Sequence, residues 1–175
     1  MTPPVTVVAI GNPYRSDDGA GAAVLARLAA LLGEEPRVRL VELDGEPVRM
    51  VQSWEGSTAV WIIDCVRSGR PPGSIHEVDA ARLGELDDQG ARLGGGHLLG
   101  LADAVELARV IGALPPELRV VGIEGECFDF GVGLTEVVDQ ACSQAASNLA
   151  ASIRAHPTLA TVNKCGGGAH RGACR

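Results

Sequence analysis

Short apolar runs alternate along this chain with segments of helical spacing, and that order restricts it to a sheet whose strands are joined through helices. Val5–Ile10 is apolar and β-branched and stops at Gly11-Asn12, the mark of a buried strand delivered into a turn. Ala20, Val24, Leu28, Leu31 and Leu32 then recur at helical spacing, with Gly33 placed to stop the helix. Residues 37–43 alternate Val38, Leu40 and Leu43 with polar neighbours, which gives a less buried strand ending at Asp44-Gly45, and Pro47 opens a short helix through Trp54. The most apolar stretch, residues 58–63, is bounded by turn residues and reads as the central strand, ending at Asp64. Residues 67–73 form a loop, 74–78 an edge strand, and 79–96 a polar, Gly-bearing connection of the kind that carries sites. An amphipathic helix over 101–111, a strand over 118–123 ending at Glu124, and a long Ala-rich helix over 135–155 with Thr135 at its N-cap complete the pattern. A mainly parallel sheet with helices on both faces follows, its ligand crevice outside the carboxyl ends of the strands.

Size and charge narrow the function. At 175 residues the chain fits one domain with a core of its own. A net charge of −7 with a single lysine, Lys164, argues against nucleic-acid and anionic-membrane partners. No signal segment and no apolar run of about 18 residues is present, so a soluble, cytoplasmic protein without a membrane partner is expected. Five cysteines at irregular spacing do not make a disulfide framework, and Cys65 and Cys142 read as buried small hydrophobes. Residues 1–155 hold the domain, while the Gly-rich tail over 156–175 carries no core-forming pattern and is expected to be disordered despite its Cys165, His170 and Cys174.

The turn after the first strand carries the chemistry. Gly11 to Gly21 has the glycines of a phosphate-binding strand-to-helix turn but holds two adjacent carboxylates, Asp17 and Asp18, which would repel phosphate and attract a cation. Asp44, Asp64 and Glu124 likewise end strands, so four carboxylates, with Asp18, point toward one rim. Taken singly, such residues more often form Asx turns and caps, and Asp17 and Asp44-Gly45 fit that reading. Asp64 is different, because it extends an apolar run and would be buried with its charge. His97 follows Gly94-Gly95-Gly96, a glycine hinge able to bring an imidazole over the rim, whereas His76, His156 and His170 read as ordinary structural or surface histidines. Carboxylates with an imidazole suit borderline divalent ions such as nickel, zinc or manganese and leave coordination positions open.

Gly11-Asn12 with Asp17-Asp18-Gly19-x-Gly21, then Ile62-Ile63-Asp64 before a Pro-Gly loop, then Gly96-His97-x-x-Gly100-Leu101, together resemble the hydrogenase maturation protease family, the nickel-dependent endopeptidases of NiFe-hydrogenase large subunits. The resemblance spans roughly residues 5 to 153. It implies a single three-layer α/β domain with a twisted, mainly parallel five-stranded sheet and helices on both faces. It also implies that Asp18, Asp64 and His97 are the catalytic and metal-binding residues. The reaction it implies is removal of a C-terminal extension from a large-subunit precursor only after nickel loading, the nickel being supplied by that precursor. Where many members carry Asp-Gly-Gly-Thr after the second strand, this chain has Asp44-Gly45-Glu46-Pro47. That difference bears on substrate subtype, with Glu46 placed to add negative charge near the substrate's metal.

The expected chemistry is metal-assisted peptide hydrolysis by a protein expected to be a monomer. A thiol mechanism, with Cys65 paired to His97, ranks below it, because neighbouring strand residues Asp64 and Cys65 point to opposite faces. Two other classes remain: a nickel-sensing or precursor-docking module that does not cut, and a nucleotide binder, against which the acidic turn and the lack of lysine weigh.

Overall fold

The computed structural model describes residues 4–80 and 96–160, with residues 96–99 and 160 described by secondary structure alone. Five strands form one sheet in the order β2-β1-β3-β5-β4: β1 (Val5–Ile10), β2 (Val38–Leu43), β3 (Ala59–Val66), β4 (Ile75–Asp79) and β5 (Glu117–Glu124). All neighbours are parallel except β4, which pairs antiparallel with β5 at an edge. The helices are α1 (Ala20–Leu32), α2 (Pro47–Trp54), α3 (Gly96–Ile111), α4 (Glu136–Ala155) and a single turn, α5 (Pro157–Ala160). The α/β architecture expected from the sequence is therefore present.

The apolar patterns place these elements. Every residue of β1 and of β3 is buried, as continuous apolar runs require, whereas the alternating β2 lies half-covered at the other edge. One face packs Val5, Val7, Trp61, Ile63 and Cys65 against α1 and α4. The opposite face packs Val8, Val60, Ile62 and Val120 against α2 and α3. Burying so many β-branched and leucine side chains, at about 1.5–3 kcal/mol each, is the main force holding the layers together. Helix α1 lies close on the sheet because Gly21 has no side chain: a Cβ there would come 2.5 Å from the Ile10 carbonyl oxygen and 3.1 Å from that of Ile63.

Two sequence expectations are corrected. Strand β3 does not end at Ile63. Its pairing with β1 stops at Ala9↔Ile63, but pairing with β5 continues through Asp64↔Gly122 to Val66↔Glu124. Order also runs past residue 155. Leu159 is buried against the α1/α4 face, and its carbonyl accepts a hydrogen bond from Arg37 Nη1 at 3.0 Å. The remainder of the expected tail, 161–175, lies outside the described residues. Among the described residues, no helix is long and apolar enough to cross a membrane.

Candidate active site

Strand order locates the crevice. From β1 the chain passes outward to β2, and from β3 it passes the other way toward β4 and β5. Connections that leave two adjacent strands in opposite directions open a cleft at their carboxyl ends, the switch point at which doubly wound sheets bind ligands. Asp18 leaves β1 and Asp64 lies near the end of β3, so these two carboxylates border that cleft.

Asp18 belongs to a 3-10 turn, Ser16–Gly19, that packs against β3. The turn folds back tightly: Gly11, at φ +140°, brings its Cα against the Asp18 carbonyl, where a Cβ would collide. Asn12 N donates to Asp18 Oδ2 at 3.1 Å, which orients a carboxylate only 4% exposed. Asp64 is 1% exposed. It lies one residue beyond the last β1 pair, where the departure of β1 removes the neighbour on that side, and its partner on β5 is Gly122, which contributes no side chain. By alternation along β3 it shares a face with Val60 and Ile62, the α2/α3 face.

His97 is not in a loop. It falls in the first turn of α3, on the α2/α3 side of the sheet. One turn further on, Gly100 packs directly on the Gly45 carbonyl at the carboxyl end of β2, in a contact that any side chain at 100 would block. The start of α3 is thus seated on the same end of the sheet as Asp18 and Asp64. Among the described residues no three metal-ligating side chains are grouped together, and the His97 side chain lies outside them.

The other rim residues have structural partners, which corrects the picture of four carboxylates acting together. Glu124 is buried and accepts hydrogen bonds from Ser68 N at 2.7 Å, Ser68 Oγ at 2.7 Å and Gly69 N at 2.8 Å, so it closes the loop after β3. Asp44 pairs with Arg49 at 3.0 Å on the surface. Glu46 caps α2 by accepting from Val48 N and Arg49 N, its carboxylate engaged with its own helix. Asp17 is fully buried and bonded to the β5–α4 connection, a structural role in line with its reading as a turn or cap residue, although its partners are distant in sequence. His76 bonds Arg70 Nη1 through Nδ1 at 2.7 Å, and His156 bridges Thr158 and Glu117, both structural.

Cys65 faces the α1/α4 core, away from Asp64. Burial raises its thiol far above the ordinary value, and the carboxylates of Asp64, Asp17 and Asp18 raise it further. A thiolate is the nucleophilic form, so this side chain is both misdirected and inert.

Comparison with known proteins fits this geometry. A family model described as "HycI: Hydrogenase maturation protease" matches residues 22–152. The chain belongs to the hydrogenase maturation protease family. It is accordingly an endopeptidase. Among relatives, the hydrogenase expression/formation protein HupM of Azotobacter chroococcum mcd 1 is 30% identical over 165 residues, 91% of this chain and 76% of that protein. HoxM of Azotobacter vinelandii is 31% identical over 144 residues, 79% and 67% of the two chains. Among solved structures, the hydrogenase maturating endopeptidase HybD from E. coli has the same fold, with a TM-score of 0.74 at 21% identity over 88% of this chain and 93% of that one. HybD from Thermococcus kodakarensis gives 0.66 at 24% over 87% and 99%. Asp64 and His97 fall within the residues matched by the family model, and Asp18 precedes them.

Proposed function

We propose that this maturation protease removes the C-terminal extension of a nickel-loaded NiFe-hydrogenase large-subunit precursor in the cleft between the carboxyl ends of β1 and β3. The observation that carries the reading is the delivery of two buried carboxylates, Asp18 and Asp64, from separate strands to that switch point. Two carboxylates delivered to one switch point offer negative charge and oxygen donors there, so a site of this kind is suited to a metal-bearing substrate. The nickel is part of the substrate. Asp18, Asp64 and His97 hold it and thereby fix the adjoining peptide bond in the cleft, which converts encounter into positioning. A water attacks the peptide carbonyl carbon, a carboxylate of the cleft takes its proton, and that proton passes to the departing amine as the C–N bond breaks.

Ligand number and type favour metal brought by the substrate over resident metal. Three oxygen and nitrogen donors on three separate segments, with no thiolate, are weakly preorganised, so the precursor's own ligands must complete the coordination sphere. Purified protein should therefore contain little stoichiometric metal by elemental analysis, and should shorten nickel-loaded precursor, seen as a mass loss, but leave metal-free precursor intact. Equal cutting of both forms by a zinc-loaded enzyme would replace this reading with an ordinary metallopeptidase. Binding of loaded precursor without any mass loss would replace it with a docking module.

A further inference from the structure

Asp17 and Asp18 are adjacent and both buried, yet their carboxylates are used differently. Asp17 Oδ1 accepts from Thr135 N at 2.7 Å, while Oδ2 accepts from Glu126 N at 2.9 Å, Cys127 N at 2.8 Å and Thr135 Oγ1 at 3.0 Å. Its own N–H donates to the Cys127 carbonyl at 3.0 Å. Two further bonds tie the same segments together, Ser16 N to Gly131 O at 3.0 Å and Gly131 N to Tyr14 O at 2.9 Å. The long connection between β5 and α4 is in this way laced to the 3-10 turn, with Asp17, 0% exposed, at the centre.

Thr135 shows that the arrangement overrides a local preference. It occupies the N-cap position of α4, where a threonine hydroxyl ordinarily accepts from the first-turn amides, yet it makes no such bond. Its hydroxyl donates to Asp17 instead. Four donors converge on one carboxylate, and an amide there would set an N–H against an N–H. Because residues 17 and 18 share a peptide plane, holding Asp17 holds the backbone from which Asp18 projects.

We infer that Asp17 is a positioning residue, which fixes the turn so that the Asp18 carboxylate meets the substrate in a single orientation. The inference rests on Asp18 acting in the cleft as proposed above.

Thr135→Val and Thr135→Ser provide the test, with Asp17→Asn as the stronger perturbation and Asp18→Asn as the control. Amide hydrogen exchange reads the turn directly, and cleavage of nickel-loaded precursor reads the consequence. In Thr135→Val the amides of Asp18 and Gly19 should exchange about tenfold faster while those of β1 and β3 stay unchanged, and kcat should fall about tenfold with KM within about twofold. Thr135→Ser, which keeps the hydroxyl, should match wild type. Asp17→Asn should lose about 100-fold in kcat, the scale expected for small misplacement of a reacting group; if it does not fold, Thr135→Val decides. Unchanged exchange and unchanged kcat in Thr135→Val, beside an inactive Asp18→Asn, would overturn the positioning role and leave the Asp18 assignment standing. A raised KM with unaltered kcat would also overturn it, because the connection would then be binding substrate rather than aligning Asp18. If Asp18→Asn cuts normally, both assignments fall together.

Discussion

On the face covered by α1 and α4, strands β1, β3 and β5 set Val7, Trp61, Ile63, Cys65 and Ile123 against Val24, Leu28, Cys142 and Leu149, an apolar layer. On the face covered by α2 and α3, the same β3 presents Val60 and Ile62 and then Asp64. One strand thus serves two purposes through the two-residue alternation of its side chains, with stability on one side and a charged group on the other. The difference teaches that burial alone does not tell which face of the sheet a residue serves. Asp64 and Cys65 are consecutive and equally hidden, at 1% and 2% exposure, and only the face each points to separates them.

That contrast is broken or upheld most sharply by substituting the two neighbours in turn. Asp64→Asn should reduce precursor cleavage by on the order of 10³-fold or more, as should Asp18→Asn and His97→Ala. Cys65→Ala should cut at close to the wild-type rate, losing only a little stability from the vacated sulfur site. Cleavage rates on nickel-loaded precursor, with circular dichroism to confirm folding, check the pair. A Cys65→Ala variant that is folded but inactive would reassign the chemistry to the α1/α4 face.

Gly21 tests how closely the stable face is tied to the cleft. A Cβ there would press on the Ile10 and Ile63 carbonyls, where the pairing of the two strands that frame the cleft stops. Helix α1 must lift to accept it. Gly21→Ala should therefore cost about 2–3 kcal/mol, or roughly 5–10 °C in Tm, and should slow cleavage as well, because the Asp18 turn leads directly into α1. A thermal melt and a cleavage assay on the same preparation separate the two effects.

Local pattern made the element order and the sheet class legible, since strands and helices each show their own hydrophobic period. What it could not show were long-range partners. The apolar run ends at Ile63, so β3 reads as ending there, and its last residues are held by a backbone ladder with β5 that no local pattern encodes. Glu124 reads as a rim charge because its partners, Ser68 and Gly69, lie more than fifty residues away. Three glycines before His97 read as a hinge, while tertiary packing begins a helix at Gly96. The placement of Asp18 at the rim was legible because an acidic doublet repels the phosphate that such a glycine turn usually holds, but the bonds that employ Asp17 depend on Thr135, 118 positions away.

A single leucine beyond the main helix gives a smaller effect. Leu159 buries against the α1/α4 face at the amino ends of the strands, near Arg37 before β2 and Glu117 at the start of β5, which His156 contacts at 3.2 Å. The cleft is at the opposite end. Leu159→Ala, and equally truncation after His156, should lower Tm by roughly 5 °C, corresponding to about 2 kcal/mol, and leave cleavage unchanged. A truncated protein with wild-type Tm would show that α5 contributes nothing.

The smallest effect concerns the fork that holds α5 in place. Arg37 Nε and Nη2 each donate to the Glu35 carboxylate at 2.8 Å, leaving Nη1 directed at the Leu159 carbonyl. The bond from Arg37 is the main reason that Glu35 titrates below the usual carboxylate value, with partial burial opposing it. A carboxylate whose folded value is depressed adds stability above its unfolded value and loses it as the pH falls through the folded value. Because the pair is still partly exposed to water and screened by it, Glu35→Gln should lower Tm at neutral pH by only roughly 1–2 °C. The gap from wild type should close once the pH drops below the carboxylate range, where wild-type Glu35 is also neutral. Melting curves of both proteins across that range measure it. A gap that persists in acid would mean that Glu35 acts through the shape of the turn before β2 and not through its charge.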